Sequence, residues 1–416
     1  MAKFFYLHGL FLPLAVLVMA ACDQQQQSGQ PVLNWYVFDE RSGAFRDAAR
    51  HCSEEANGRY RIEFTPLPSD ADQQREQLVR RLAARDPAID IIGMDVIWTA
   101  EFAQAGWILP WPETTAANAT QGMLPAAVTS ATYHDRLWAL PFTSNAQLLW
   151  YRKDLIENPP VTWDEMIERA ESFARPGALQ VQGERYEGLT VFFVSLLASA
   201  GGSVLASDGN SVSLERQATH KTLSLLRRIA TSPAADPGLA VSREDQNRLA
   251  FETGNPIFMV NYSFVWPSAR QNAPDIAKNM AWARWPSVIA GQPSRVTIGG
   301  INLAVGAYSR HPQMAFEAVT CLTAADNQKL AARKGGLPPT LRALYSTPAV
   351  RQRFPMADTL LETLLDAVQR PQTPVYNDIS LAISHTLHPL ADIDPETDGL
   401  RLRRAVQRAL RSEGLF

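Results

Sequence analysis

LWALPFTSNAQLLWYRKD, residues 137–154, reads as two short apolar runs, Leu137–Phe142 and Gln147–Tyr151, joined by a polar turn, Thr143-Ser144-Asn145. Pro141 has no amide hydrogen to give a central ladder, so the first run must break or reach a sheet edge there. The second run, rich in aromatics, resumes as a strand. The stretch therefore marks a crossing between two lobes. The residues before it build one half-sheet with alternating strands and helices, those after it build a second, and the chain later returns to the first. This predicts an α/β chain in which 31–141 with 296–340 form lobe 1 and 142–295 with 341–416 form lobe 2. A hinge joins the lobes, and Asn145 lies at the floor of the cleft between them.

Working outward, the chain of 416 residues is too long for one ordinary core, which agrees with two domains. Its 42 acidic and 39 basic residues nearly cancel, and no basic stripe is interleaved with aromatics, which argues against a nucleic-acid partner. The seven histidines show no ligand spacing and the sequence has no CxxC motif, so neither a metal nor a cofactor is expected.

At the N-terminus, Lys3 is followed by an apolar run from Leu10 to Ala21, then Cys22 and the polar tract Asp23–Gln30. The run is too short for a stable membrane-spanning helix, and small residues before a cysteine suit a cleaved signal. The segment resembles a bacterial lipoprotein signal with its lipobox. That implies removal of 1–21, a lipidated Cys22 and a linker over 22–30, with Asp23 favouring retention on the outer, periplasmic face of the cytoplasmic membrane. The competing reading is an ordinary secretory signal in which Cys22 is incidental. Two cysteines then remain, Cys52 and Cys321. An exported compartment permits a bridge joining an early helix to a late one, and two buried thiols are the alternative.

Val32–Phe38 is a nearly continuous apolar strand of the kind buried on both faces. Helices are expected over Ala44–Ala56 and Ala71–Arg85, with strands over Tyr60–Pro66 and Ile89–Met94, which together give a parallel sheet with right-handed crossovers. In the second lobe Thr162-Trp163-Asp164-Glu165 has the capping-box pattern. The run Gly188–Ala200 is apolar on nearly all sides and ends at Gly201-Gly202, as a buried helix would. Further helices over 216–232 and 242–252 lead to a strand over Pro256–Val260, and Val296–Val305 re-enters the first lobe. The remainder is helical, over 315–323, 325–334, 357–369, 378–390 and 399–410, with a firm stop at Gly335–Pro339.

Several stretches taken in order resemble one family. They are the lipobox with its Gln-rich linker, LPFTSNAQLLWYRKDL, TWDEM, MVNYSF, TIGGINLAV, and HPQMAFEAVTCLTAADNQ followed by KGGLPP. Together they look like the extracellular sugar-binding lipoproteins of ABC importers, in the maltose-binding-protein group. LNWYVFDERSGAF, VRRLAARDPAIDIIGMDVIWTAEFAQAGWILPW and RPQTPVYNDIS look most like the actinobacterial lipoprotein that captures trehalose. The resemblance implies a two-lobed periplasmic-binding-protein fold, a disaccharide ligand, delivery to ABC permease subunits with their ATPase, and a monomer without enzymatic activity.

A sugar offers many hydroxyls and apolar ring faces, so it calls for carboxylates, amides, a guanidinium and aromatic platforms. In open α/β sheets these sit in loops beyond the carboxyl ends of strands. Asp39 and Glu40 follow the first strand, Asp95 the third, Asn145 lies in the crossing turn, and Asn261, Tyr262 and Trp266 follow the second lobe's strand. The resemblance adds Arg370, with Gly300 and Leu337 bringing backbone and an apolar edge. Each has a plainer competitor: Asp39 as a helix cap, Glu40 as a solvated residue, Asp95 in a structural ion pair, Asn145 in its own turn. Tyr262 and Trp266 could instead be core aromatics, and Arg370 could pair with Asp378 or Glu362. Two rival functions remain, an exported glycoside hydrolase using Asp95 and Glu40, or a binder of maltodextrin or glycerol phosphate.

Overall fold

The computed structural model describes residues 29–413, with Met1; the expected signal segment and Cys22 lie outside the described residues. Strands β1 (Val32–Phe38), β2 (Arg61–Leu67) and β3 (Ile91–Asp95) lie parallel in the order β2-β1-β3, as the alternation of strand and helix predicts. The helices Ala44–Glu55 and Ala71–Ala83 make the crossovers. Along β1, Leu33, Trp35 and Val37 enter one core cluster and Tyr36 enters another, so the sheet is covered on both faces. Short helices over Thr99–Gln104, Glu113–Ala119 and Pro125–Ser130, not among the helices expected from the sequence, lead to a small hairpin of β4 (Thr132–Tyr133) and β5 (Arg136–Leu137).

The chain then enters β6 (Ala139–Asn145), the edge strand of a five-stranded sheet ordered β2-β1-β3-β11-β6, where β11 is Gly299–Val305. The register slips at Pro141: Ile301 faces Thr143 while Asn302 faces Pro141, so Phe142 is passed over in a bulge. An edge position and a bulge are the two places a strand tolerates proline. Thr143-Ser144-Asn145, expected as a turn, is strand instead. The Ser144 amide donates to Pro338 O and its hydroxyl to Pro339 O, both at 2.9 Å, so a distant segment supplies the partners that a local turn would have. The first sheet therefore extends past residue 141 to Asn145, and the crossing falls at Ala146-Gln147.

The second sheet orders β10 (Met280–Ala283), β7 (Leu148–Arg152), β9 (Phe258–Asn261) and β8 (Leu179–Gln180). Helix Trp163–Glu171 starts at Thr162, whose hydroxyl accepts from the Glu165 amide, while the Glu165 carboxylate reaches back to the Val161 amide rather than to that of Thr162. Helix Glu187–Ser199 is buried from Gly188 to Leu197 because it packs between neighbours on all sides, among them the helices Arg216–Thr231 and Tyr376–Leu387. Ala315, Ala318, Val319 and Leu322 pack with the first lobe's core; Leu344 onward, including Leu402 and Val406, packs with the second's.

One expected helix is shorter than its pattern. Ala357–Leu365 stops four residues before Gln369, because Val368 is needed elsewhere: its amide donates to Val296 O and its carbonyl accepts from the Ile298 amide, both at 2.9 Å. The chain thus passes between the lobes around Ala146, around Thr297 and between Leu337 and Leu344, and Val368 runs beside the second of these passages. No helix among the described residues is long and apolar enough to cross a membrane.

Candidate functional site

Beside the return passage at Thr297, Arg370, 7% exposed, places its guanidinium between carboxylates from both lobes. Nη1 donates to Glu187 Oε1 at 2.8 Å, and Nη2 lies 3.3 Å from Asp95 Oδ1. Asp95 belongs to lobe 1, at the carboxyl end of β3, and Glu187 to lobe 2, in the first turn of its buried helix. Tyr376 and Ser380, one turn apart on the next helix, donate their hydroxyls to Glu187. Burial works against the charge on Arg370, and Asp95, Tyr376 and Glu187 outweigh it, so its pKa lies above the usual arginine value. Burial pushes the Glu187 carboxyl up, with Arg370, Ser380 and Tyr376 pulling the other way. The partners foreseen for Arg370, Asp378 and Glu362, are not the ones it takes. Glu187, Tyr376 and Ser380 were missed; the signal was a carboxylate opening an otherwise apolar helix.

Tyr262 follows β9 of the second sheet. Burial raises the pKa of its phenol, and among its charged surroundings are Glu244, Arg370, Asp95 and Glu187. Asn261, expected beside it as a ligand contact, is 0% exposed and fully engaged. Its Nδ2 donates to Glu244 O at 2.9 Å and its Oδ1 accepts from the Tyr262 amide at 2.8 Å, so it shapes the strand end and presents nothing to a cleft. Trp266 is partly buried edge-on to Trp282, 5.4 Å between centroids, and its indole N–H is buried without an acceptor.

Glu40 is 7% exposed and caps the helix Ala44–Glu55. Its two oxygens accept from the Ser42 and Ala44 amides, each at 2.8 Å, which is the work foreseen as a competitor for Asp39. It is therefore not a solvated residue, and a carboxylate tied to two amides is poorly placed to act as the acid or nucleophile of a hydrolase. Asp39 is left half-exposed, with Arg41 Nε 4.0 Å away. Leu337 is partly buried against the first lobe's core, close to Gly335 and Glu40.

Asn145 ends β6 opposite Gly299, and its side-chain amide has no partner among the described residues. A Cβ on Gly299 would lie 2.2 Å from Asn145 Oδ1, so glycine is what lets that amide stand over the backbone. Gly300 has φ +140°, and a Cβ there would lie 2.1 Å from Thr143 O. A separate cavity of about 720 Å³ is lined by the segments 129–135, 201–210 and 368–374; of the predicted ligand residues, only Arg370 borders it.

Two α/β lobes joined by three passages, with one guanidinium held between a carboxylate of each, define the two-lobed binding-protein class. The model of the bacterial extracellular solute-binding protein family matches residues 44–329, and the chain belongs to that family. It is 27% identical over 343 residues to a probable ABC transporter-binding protein of Deinococcus radiodurans, covering 79% of this chain and 81% of that one. It is 25% identical over 317 residues to a mannitol-binding protein of Pseudomonas aeruginosa, covering 70% of this chain and 69% of that one. Maltose-bound MalE3 of T. maritima superposes with a TM-score of 0.77 at 25% identity, covering 92% of this chain and 100% of that one. The GacH receptor of Streptomyces glaucescens, with a TM-score of 0.79 at 20% identity over 92% of this chain and 99% of its own, shares the fold.

Proposed function

We propose that this chain captures a neutral sugar, trehalose before others, by hinge closure and delivers it to the permease of an ABC importer. In this reading Cys22 carries a lipid that holds the protein at the outer face of the cytoplasmic membrane. The observation that carries the proposal is Arg370 held between Asp95 of one lobe and Glu187 of the other. One guanidinium already faced by two carboxylates is a poor receptor for a phosphate, which favours a neutral ligand over glycerol phosphate. In this reading Asp39, Asp95, Asn145 and Tyr262 would offer acceptors and donors for hydroxyls, and Trp266 would offer an aromatic face. Gly300 and Leu337 would border the ligand with backbone and an apolar edge. Names of similar proteins support a carbohydrate or polyol: one relative is a mannitol-binding protein and one similar structure holds maltose.

Closure results if a sugar touches both lobes at once, because a ligand shifts a two-state equilibrium by its differential affinity for the two states. The test is a thermal-shift panel with trehalose, maltose, sucrose, glucose, mannitol and glycerol 3-phosphate. A ligand that binds only the folded chain adds about 2.7 kcal/mol at a hundredfold excess over Kd. A shift with trehalose, accompanied by compaction in small-angle scattering, is expected. A shift with another sugar alone overturns the trehalose assignment, and a shift with glycerol 3-phosphate alone overturns the neutral-ligand reading.

A further inference from the structure

Far along the chain from the hinge residues, Cys52 in the helix Ala44–Glu55 and Cys321 in the helix Pro312–Leu322 form a disulfide, Cα atoms 5.9 Å apart and 269 residues apart in sequence. Its surroundings are more elaborate than a staple needs. His51, Cys52, Glu55 and Cys321 bring one ligand-type atom each within 4.8 Å of one another. Glu55 Oε2 lies 3.1 Å from Cys321 Sγ, and a disulfide sulfur carries no proton for that carboxylate to accept. Glu55 Oε1 is also 3.4 Å from His51 Nε2.

Asn327, 1% exposed, organises the group from behind. Its Oδ1 is 3.2 Å from His51 Nδ1, which donates to it and so fixes the ring with Nε2 turned towards Glu55. Its Nδ2 donates to Cys321 O at 2.8 Å and also lies 3.2 Å from Cys52 Sγ and 3.7 Å from Cys321 Sγ, which leaves its second N–H as a donor suited to a thiolate. An imidazole oriented through its second nitrogen and thiolates receiving N–H donors are what surrounds a zinc ion in proteins.

We propose that, when the bridge is reduced, His51, Cys52, Glu55 and Cys321 bind one divalent cation of the zinc class in tetrahedral geometry. Two thiolates, one imidazole and one carboxylate fit that ion's ligand preferences. The reductant is a dithiol. Its thiolate attacks the more exposed Cys321 sulfur and the S–S bond breaks, with Cys52 leaving as a thiolate beside the Asn327 amide. The second thiol of the reductant then attacks the mixed disulfide and leaves as the reductant's own disulfide, so two electrons pass to the protein sulfurs. The cation takes both sulfurs as thiolates, and the two thiol protons go to solvent. The link between the two helices survives in either state, as a covalent bond when oxidised and as a metal bridge when reduced.

The experiment titrates zinc into the purified full chain, oxidised and after reduction with a phosphine, against a chromogenic chelator, and repeats it with cobalt(II), whose thiolate complexes absorb by charge transfer. One equivalent bound by the reduced chain only, with the cobalt thiolate band, is expected. His51→Ala and Glu55→Gln keep the disulfide, so they fold as the parent does, and each should weaken zinc at least tenfold in the reduced state. Equal zinc uptake by oxidised and reduced chains overturns the proposal, as does unchanged affinity in both variants.

Discussion

The loops after β1 and β3 each close a parallel strand of the same sheet with a carboxylate, and the two carboxylates are used in opposite ways. After β1 comes the twelve-residue helix Ala44–Glu55, whose first amides need acceptors, and Glu40 turns inward to supply them. After β3 comes the tight three-residue turn Val96–Trp98, which runs straight into the six-residue helix Thr99–Gln104, and there Asp95 serves one amide, that of Ile97 at 3.1 Å, and still meets Arg370. Position in the sheet adds to this: β3 lies beside β11, the strand by which the chain returns from the second lobe, whereas β1 lies between β2 and β3. A carboxylate beyond a strand end is available between the lobes only when the next element leaves it unspent.

Arg370→Ala tests that contrast hardest. It strands Glu187 and frees Asp95, and removing one partner of a buried pair should cost about 3 kcal/mol in guanidinium unfolding. The sugar-induced thermal shift should disappear with it. A variant as stable as the parent, with its ligand response intact, would break the comparison.

Gly300→Ala comes next. Its Cβ would meet Thr143 O at a backbone angle that side chains rarely adopt, a strain on the order of 1–3 kcal/mol. Because the next residue, Ile301, pairs with Asp95, calorimetry should show weaker ligand binding as well as the lower melting temperature.

Glu40→Gln sharpens the other side. It keeps one acceptor oxygen but loses the charge at a helix start, so about 1 kcal/mol of stability should go while ligand affinity stays the same. Affinity falling as far as in Arg370→Ala would place the β1 loop in the cleft after all.

The smallest effect sets a baseline for an ion pair that stays within one lobe. The hydrogen bonds from Arg243 hold the Glu184 carboxyl below its usual range, against the effect of burial. A depressed folded-state pKa gives stability that is present above the unfolded value of about 4.3 and lost as pH falls through the folded one. Glu184→Gln should flatten that acid limb by under about 1 kcal/mol in unfolding curves taken at successive pH values, without touching ligand affinity.

Much of the fold was written in local pattern. The unbroken apolar run of β1, the all-apolar helix after Glu187 and the proline that puts β6 at an edge could be read from neighbours in sequence. Their cause is short-range: side-chain period and a missing amide hydrogen act on the residues beside them. Position after a strand singled out Asp95 and Asn261, and the family resemblance added Arg370; Asp95 and Arg370 do meet, whereas Asn261 spends its side chain on the Glu244 carbonyl and the Tyr262 amide.

The features that tertiary structure alone decided involve partners far apart in the chain. Ser144 is strand rather than turn because Pro338 and Pro339 offer it acceptors, and the helix from Ala357 ends early because Val368 must pair with the returning chain. Asn327 meets the sulfurs of both Cys52 and Cys321 only once lobe 1 has closed on itself. Sequence fixes which groups need a partner; which distant group supplies it depends on closing long loops, and local periodicity carries no record of that.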